Sequence, residues 1–490
     1  MTVTGGVHSR NNPMQRRNFL ADCGLGFTGL AMGSMLAADG IVRADSKPTG
    51  EPHFAPRAKS IVWVFLSGGY SQMETFDPKP MLNKYAGKTF SETPFPNPVE
   101  SPLHRERFRS APAEEINIRD VYTKIFPMQV GFARHGESGI AVSDWWPHLA
   151  KQVDDICFVR NMWTTDNDHA AENQIHTGRH KLDETQPSIG AWAHYGLGSL
   201  NENLPRFVVL GGPTRTDTRQ SIDSYYLGPA HAGVPLKLDP KNPLSFGTRR
   251  TGQTALQQAN EFDLISRLNR ITAEDRPDDA RLAARIKSYE LAFRMQAAVP
   301  EAVALAEETT DTQKMYGIDQ GPTKLAGQRL LAARRMVERG VRFVQVFPSP
   351  YGTWDSHQKL RENHSRMCKS VDKPVSGFLA DLKQRGLLDD VAVVFCTEFG
   401  RTPGLQGTTT GRDHHPHGFT VWLAGAGLKR GYVHGATDEL GYHALGKGHY
   451  VTDLHATVLH LLGLDNTRLE VPGRKRLDID RGSVITDILA

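Results

Sequence analysis

Ser60-Ile61-Val62-Trp63-Val64-Phe65-Leu66 runs straight into Ser67-Gly68-Gly69. A continuous apolar run of this length, rich in β-branched and aromatic side chains and closed by a glycine turn, reads as a parallel strand buried on both faces. The same pattern recurs at Arg206–Leu210, Val341–Phe347, Val391–Cys396 and Phe419–Ala424, with a shorter run at Ile156–Val159. Between these runs the apolar spacing changes to three and four. Helices are expected at Trp145–Val153, Ser188–Leu197, Arg281–Ala298, Lys324–Arg339 (closed by Gly340), Val371–Gln384 and Val451–Leu462. Strands alternating with helices predict a mostly parallel sheet covered on both faces, one large α/β domain rather than a string of modules. Two stretches, 78–138 and 213–260, are rich in Pro, Gly and turn formers and read as long excursions from that core.

The chain has 490 residues, with 39% apolar and 23% charged side chains, 46 Gly and 29 Pro. Those values exclude collagen, a coiled coil, general disorder and a multi-span membrane protein. Lys and Arg total 58 against 54 acids, and no basic stripe gathers the small surplus, so nucleic acid is not an expected partner. Of the four cysteines, Cys157, Cys368 and Cys396 are far apart in the chain, and no CxxC pair is present. Neither a disulfide framework nor a cysteine zinc site is expected.

Near the start, Met14-Gln15-Arg16-Arg17-Asn18-Phe19-Leu20 precedes a mild, glycine-rich apolar run to Ala38, and Val42-Arg43-Ala44 offers a cleavage point. Paired arginines followed by x-Phe-Leu resemble a twin-arginine export signal. That resemblance implies passage through the twin-arginine machinery, a periplasmic or secreted protein, and no permanent membrane span after processing. An N-terminal membrane anchor with a basic flank is the other reading of the run. Residues 1–44 are taken as the leader, 45–57 as a linker, 58–465 as the α/β domain and 466–490 as a tail.

In open α/β sheets, ligands bind outside the carboxyl ends of the strands, so the segments that follow the strands matter most. After 341–347 comes Trp354-Asp355-Ser356-His357; two positions apart in an extended segment, Asp355 and His357 share a side. After 391–396 comes Thr397-Glu398-Phe399-Gly400-Arg401-Thr402, where Glu398 either ligates a cation or pairs with Arg401. Asp413-His414-His415-Pro416-His417, just before the 419–424 strand, is dense in the N and O donors that suit zinc, manganese or iron. After 156–159 comes Asp168-His169, ahead of a helix; Asp168 is a site residue, a helix cap, or both.

Together these segments, with His176-Thr177-Gly178-Arg179, resemble the twin-arginine-exported, sulfatase-like proteins of unknown function in the alkaline-phosphatase-like superfamily. The resemblance spans about 58–465 and is most specific over 397–418. It implies a three-layer α/β/α sandwich holding one or two divalent metals at the strand ends and hydrolysing phosphate or sulfate esters. The metal ligands would be Asp355, His357, Glu398, Asp413, His414 and His415, with zinc, manganese, calcium or magnesium as the ion. Asp168, His169 and Arg401 would serve catalysis, with Arg412 and Arg179 as further candidates for neutralising an anionic substrate. The expected substrate is a small anionic ester or a sulfated or phosphorylated glycan. Two features depart from the superfamily pattern. Glu398-Phe399 stands where an Asp-His pair is usual, and alignment on Thr177-Gly178-Arg179 puts Asp168 at the nucleophile, with Thr165 reachable only by a shift of three. The expected function is therefore a hydrolase working through metal-activated water. The alternative is a non-catalytic envelope protein that keeps the fold and binds a glycan or protein partner.

Overall fold

The computed structural model describes residues 50–103, 124–180, 183–212, 219–244, 254–275, 280–474 and 481–490. The expected twin-arginine leader, residues 1–44, lies outside them. Two compact units are distinguished. Of the first, Met1–Lys47 with Glu470–Arg474, only the turn bridged between Val471 and Arg474 is described. The second, Pro48–Leu469 with Lys475–Ala490, contains the sheet and every residue discussed below.

Its sheet has nine strands. In chain order they are β1 (Ser60–Phe65), β2 (Ile156–Trp163), β3 (Phe207–Leu210), β4 (Val234–Leu236), β5 (Phe343–Val346), β6 (Val391–Cys396), β7 (Phe419–Gly425), β8 (Tyr432–His434) and β9 (His449–Tyr450). The spatial order is β8-β2-β7-β6-β1-β5-β3-β4, with β9 also on β2. All pairings are parallel except those of β7, which runs antiparallel to both β6 and β2. The expected mostly parallel sheet is thus present. The exception matters, because it makes 397–418 an excursion that leaves and re-enters the sheet at the same end.

Side-chain alternation along β1 builds the layers. Val62 and Val64 belong to a buried cluster with Leu330 and Met336 of helix α5 (Lys324–Glu338) and Val371 and Phe378 of helix α6 (Leu360–Gln384). On the other face, Trp63 and Phe65 meet His176 of helix α1 (Ala171–Thr177), and Trp63 also meets His455 of helix α7 (Val451–Leu461). Between these in chain order come α2 (Ile189–Leu197), α3 (Ala255–Glu274) and α4 (Ala280–Ala302). No helix among the described residues is long and apolar enough to cross a membrane.

Three sequence expectations need correction. The 213–260 stretch is not all loop: Val234–Leu236 adds an edge strand to β3, and α3 starts at Ala255. Helix α6 begins at Leu360 rather than Val371. The 145–153 helix is a shorter 3-10 turn over Leu149–Asp155.

Candidate metal centre

The loops after β1, β2, β5 and β6 meet beyond the carboxyl end of the sheet. Gly68 makes the meeting possible: at φ +116°, a Cβ there would lie 2.5 Å from the Asp355 amide nitrogen and 2.8 Å from that of Trp354. The bare backbone lets the 354–357 loop lie directly on the end of β1. Glu398, fully buried, accepts from the Gly68 N–H at 2.7 Å and from the Thr397 hydroxyl at 2.9 Å, tying the ends of β1 and β6 together.

A short ladder pairs His414 with Arg401 and His415 with Gly400. Paired residues point to one side and adjacent residues to opposite sides. His414 and Arg401 therefore both face Asp355, with His414 Nε2 and Arg401 Nη2 at 3.4 and 2.8 Å from its Oδ1. His415 faces away and bonds the Tyr442 carbonyl through Nε2.

Four side chains close the group. Asp355 Oδ1 is 3.1 Å from His357 Nε2, and Asp355 Oδ2 is 3.2 Å from His169 Nε2. The Nε2 atoms of His357 and His414 are 3.1 Å apart. On the far side of each ring sits an acceptor. His414 Nδ1 is 2.7 Å from the Asn167 carbonyl, and His357 Nδ1 is 2.8 Å from Gln406 Oε1 and 3.3 Å from Asp413 Oδ1. Those acceptors keep the ring protons on Nδ1, so both Nε2 lone pairs aim at each other and at the Asp355 carboxylate. Lone pairs facing lone pairs repel, and a cation between them removes the repulsion; histidine ligands are oriented in this way by a second-nitrogen hydrogen bond. His169, Asp355 and His414 form one group with metal-ligand spacing, and His357, Asp413 and His414 another.

The charges agree with this arrangement. Burial, then the cationic charge of Arg401 and His169, keep His414 below the usual histidine pKa despite the pull of Asp355. Burial opposes ionisation of Asp355, but its bond to His169 and the charge of Arg401 prevail and hold it well below the carboxylate range. For His169 burial acts downward, yet Asp355 and Glu398 (3.5 Å from Nδ1) overrule it and raise the pKa to about 10. Asp355, His357 and His169 are 25%, 35% and 27% exposed at the side chain, so the group opens to solvent. A structural metal site would be closed.

The family model for a protein of unknown function (DUF1501) matches residues 58–489. The chain belongs to that family. No curated protein matches the chain in sequence. Among solved structures, a protein in the alkaline phosphatase superfamily from Vibrio parahaemolyticus is similar at 10% identity and a TM-score of 0.38, over 94% of this chain and 79% of that one. The lipoteichoic acid synthase LtaP from Listeria monocytogenes is similar at 10% identity and a TM-score of 0.37, over 90% and 80%. The phosphonate monoester hydrolase SpPMH from Silicibacter pomeroyi is similar at 16% identity and a TM-score of 0.31, over 70% and 71%. At such scores these likenesses carry no argument about chemistry.

In this DUF1501 chain the structure brings together Asp355, His357, Asp413, His414 and His169, with Glu398 behind them. It does not bring in His415, because one step along a strand reverses the side chain. Asp168 turns to its own backbone, accepting from the Ala170 N–H at 2.7 Å. Arg401 is fully buried, and besides Asp355 its donors go to the carbonyls of Gly68, Gly69 and Arg412, so it positions Asp355. Arg412 is likewise buried and pairs with Glu74 at 2.8 Å. Arg179 lies 3.7 Å from Asp183. Sequence reasoning missed Gln406 and Asn167, which orient the two imidazoles, and His364, which accepts from the Ser71 N–H at 2.9 Å and lies 3.0 Å from the Ser356 hydroxyl. Burial first, then Arg401 and Arg412, push the His364 pKa down to about 3, so it is a neutral brace. No local motif announces such partners.

Proposed function

We propose that this DUF1501 protein is an exported, metal-dependent hydrolase of the alkaline-phosphatase-like type, acting on a phosphate or sulfate ester through water. The observation that carries the reading is the convergence of two imidazole lone pairs on the Asp355 carboxylate, each ring fixed from behind. Asp355, His357 and His414 would hold the cation, with His169 at its edge and Asp413 behind the His357 ring. Two nitrogens beside a carboxylate suit zinc or manganese better than calcium or magnesium. A divalent cation in this place supplies Lewis acidity, lowering the pKa of a water and polarising an ester oxygen.

The chain's own groups do the rest. His169, 3.2 Å from Asp355 and 3.5 Å from Glu398, would orient the anionic ester beside the cation. Arg401 keeps Asp355 ionised and aimed. Water is preferred to a covalent route because alignment on Thr177-Gly178-Arg179 leaves Asp168, not a hydroxyl or thiol, at the nucleophile position.

The test is elemental analysis of protein purified after native export, beside Asp355→Ala and His414→Ala, followed by aryl phosphate and aryl sulfate assays with added Mn²⁺ or Zn²⁺. The expected result is one or two bound equivalents, lost in both variants, with metal-dependent turnover in the parent. Unchanged metal content in folded variants overturns the site. Bound metal without turnover of either ester overturns the hydrolase and leaves the binding protein.

A further inference from the structure

The loop after β5 sets an aromatic ring beside the donor group. Tyr351 has its ring centroid 5.8 Å from that of His169, with the two planes tilted by 59°. Among the described residues one other phenyl-type ring meets His169, that of Phe399, and it is fully buried, whereas Tyr351 is partly exposed. His169 is itself 27% exposed at the side chain, and its Nε2 lies 3.2 Å from Asp355 Oδ2, so a single imidazole links the tyrosine to the carboxylate. Around the other oxygen, Oδ1, stand His357, His414 and Arg401. The one open aromatic surface at the group is therefore on the Oδ2 side. The backbone around Tyr351 is also fastened. Gly352 donates to the Ser67 hydroxyl at 2.7 Å, the Asp355 N–H to the Gly352 carbonyl at 3.0 Å, the Thr353 hydroxyl to the Pro350 carbonyl at 2.9 Å, and Asn363 to the Thr353 carbonyl at 3.1 Å. A ring carried on a loop tied in this way has little left to order on binding.

We propose that Tyr351 is the platform for the alcohol part of the ester, and that the substrate is an ester of a ring-bearing alcohol, a sugar or a phenol, rather than of a short open chain. The proposal rests on the reading of the Asp355 group as the place where a cation holds the oxyanion. The alcohol is bonded directly to that oxyanion, and past His169 the surface that receives it is Tyr351. A ring covers more of a tyrosine than a methyl or ethyl group can, a phenol by offset or edge-on stacking and a sugar through its C–H groups. Rigid aromatic side chains give such contact area at low entropic cost.

Calorimetry on the full-length protein loaded with Zn²⁺ or Mn²⁺, using oxyanions that cannot be hydrolysed, tests this without any turnover. Phenylphosphonate and benzenesulfonate carry a phenyl ring, a glucose sulfonate carries a sugar ring, and methylphosphonate and methanesulfonate carry neither. The quantity read is the ratio of ring to methyl affinity, at equal metal content by elemental analysis. The expected ratio is roughly 3–10 in the parent and in Tyr351→Phe, falling towards one in Tyr351→Ala. Whichever of the phenyl and sugar ligands loses more affinity in Tyr351→Ala names the alcohol. A ratio that survives Tyr351→Ala, or a parent that binds ring and methyl oxyanions equally or binds none of them, overturns the platform. Should Tyr351→Ala fail to fold, Tyr351→Gln takes its place under the same criterion. Ester turnover with an unchanged ratio would keep the hydrolase and remove the platform; a ratio lost in Tyr351→Ala without any ester turnover would do the reverse.

Discussion

Arg412→Met, Glu74→Gln and the double variant probe what holds the 401–414 loop in place. Both side chains are fully buried, 2.8 Å apart at Arg412 Nη2 and Glu74 Oε1, with a second contact at 3.2 Å through Nε. Arg412 also donates to the carbonyls of Thr402, Pro403, Phe126 and Pro127. Removing one partner of a buried pair strands the other and costs about 3–5 kcal/mol. Each carbonyl that loses its donor adds about 1 kcal/mol. Arg412→Met carries both penalties. Glu74→Gln carries mainly the first, softened because the amide still accepts from Ser71. In the double variant no charge is stranded, so its cost should fall below that of Arg412→Met alone and reflect mainly the lost carbonyl bonds. The expected coupling is at least about 3 kcal/mol. Urea unfolding of the four proteins at pH 7, followed by the fluorescence of buried Trp146 and Trp354, measures it. Additivity within about 0.5 kcal/mol, or an Arg412→Met cost below about 1 kcal/mol, would refute the assignment of this pair as the anchor of the loop.

Three further outcomes are expected. Burial, then the charges of His231 and Arg206, hold the His194 pKa at about 2, so the folded state binds fewer protons than the unfolded state below the ordinary histidine pKa of about 6.5. Stability conferred by the neutral ring is therefore complete above that value and lost as pH falls, by about 2 kcal/mol between pH 6.5 and 5. His194→Gln should flatten that part of the urea-midpoint profile, and an unchanged slope would contradict the linkage. Gly68→Ala should push the 354–357 loop off the end of β1 and weaken Zn²⁺ or Mn²⁺ binding at least ~10-fold by calorimetry, a distortion that small-to-large changes at close contacts produce; parent-like affinity would show that the approach is slack. His415→Phe should keep its metal while His414→Phe loses it, and equal loss by elemental analysis would contradict the opposite facing of the two rings.

The sheet was readable where burial on both faces writes an unbroken apolar run. The Val391–Cys396 expectation matches β6 at both ends, and Phe419–Ala424 matches β7 but for one residue. Direction was not readable, because an apolar run says nothing about whether its neighbour is parallel. Helix α3 was missed for a different reason. Its partly buried positions, Gln258, Phe262, Ser266, Asn269 and Ala273, are mostly polar, while Leu264, Ile265, Leu268 and Ile271 are exposed. Periodicity marks an apolar stripe, but not which side it faces. At the site, donor-rich loops pointed to Asp355, His357 and His414, because strand ends converge. The choice between His414 and His415 depended on the register of a two-residue ladder, and Gln406 and Asn167 depended on loop paths that leave no periodic trace.

His169 and Asp355 lie 186 residues apart in the chain and 3.2 Å apart in space. Contacts of such long sequence separation are slow to form. The complete donor set therefore exists only once the chain has finished folding, and an unfolded chain offers a cation little beyond the local run from Asp413 to His417. If the leader sends the protein across a membrane already folded, the ion travels inside as cargo. Its identity would then be decided by the supply where folding ends rather than where the protein works, and depleting manganese or zinc on either side of the membrane would distinguish the two.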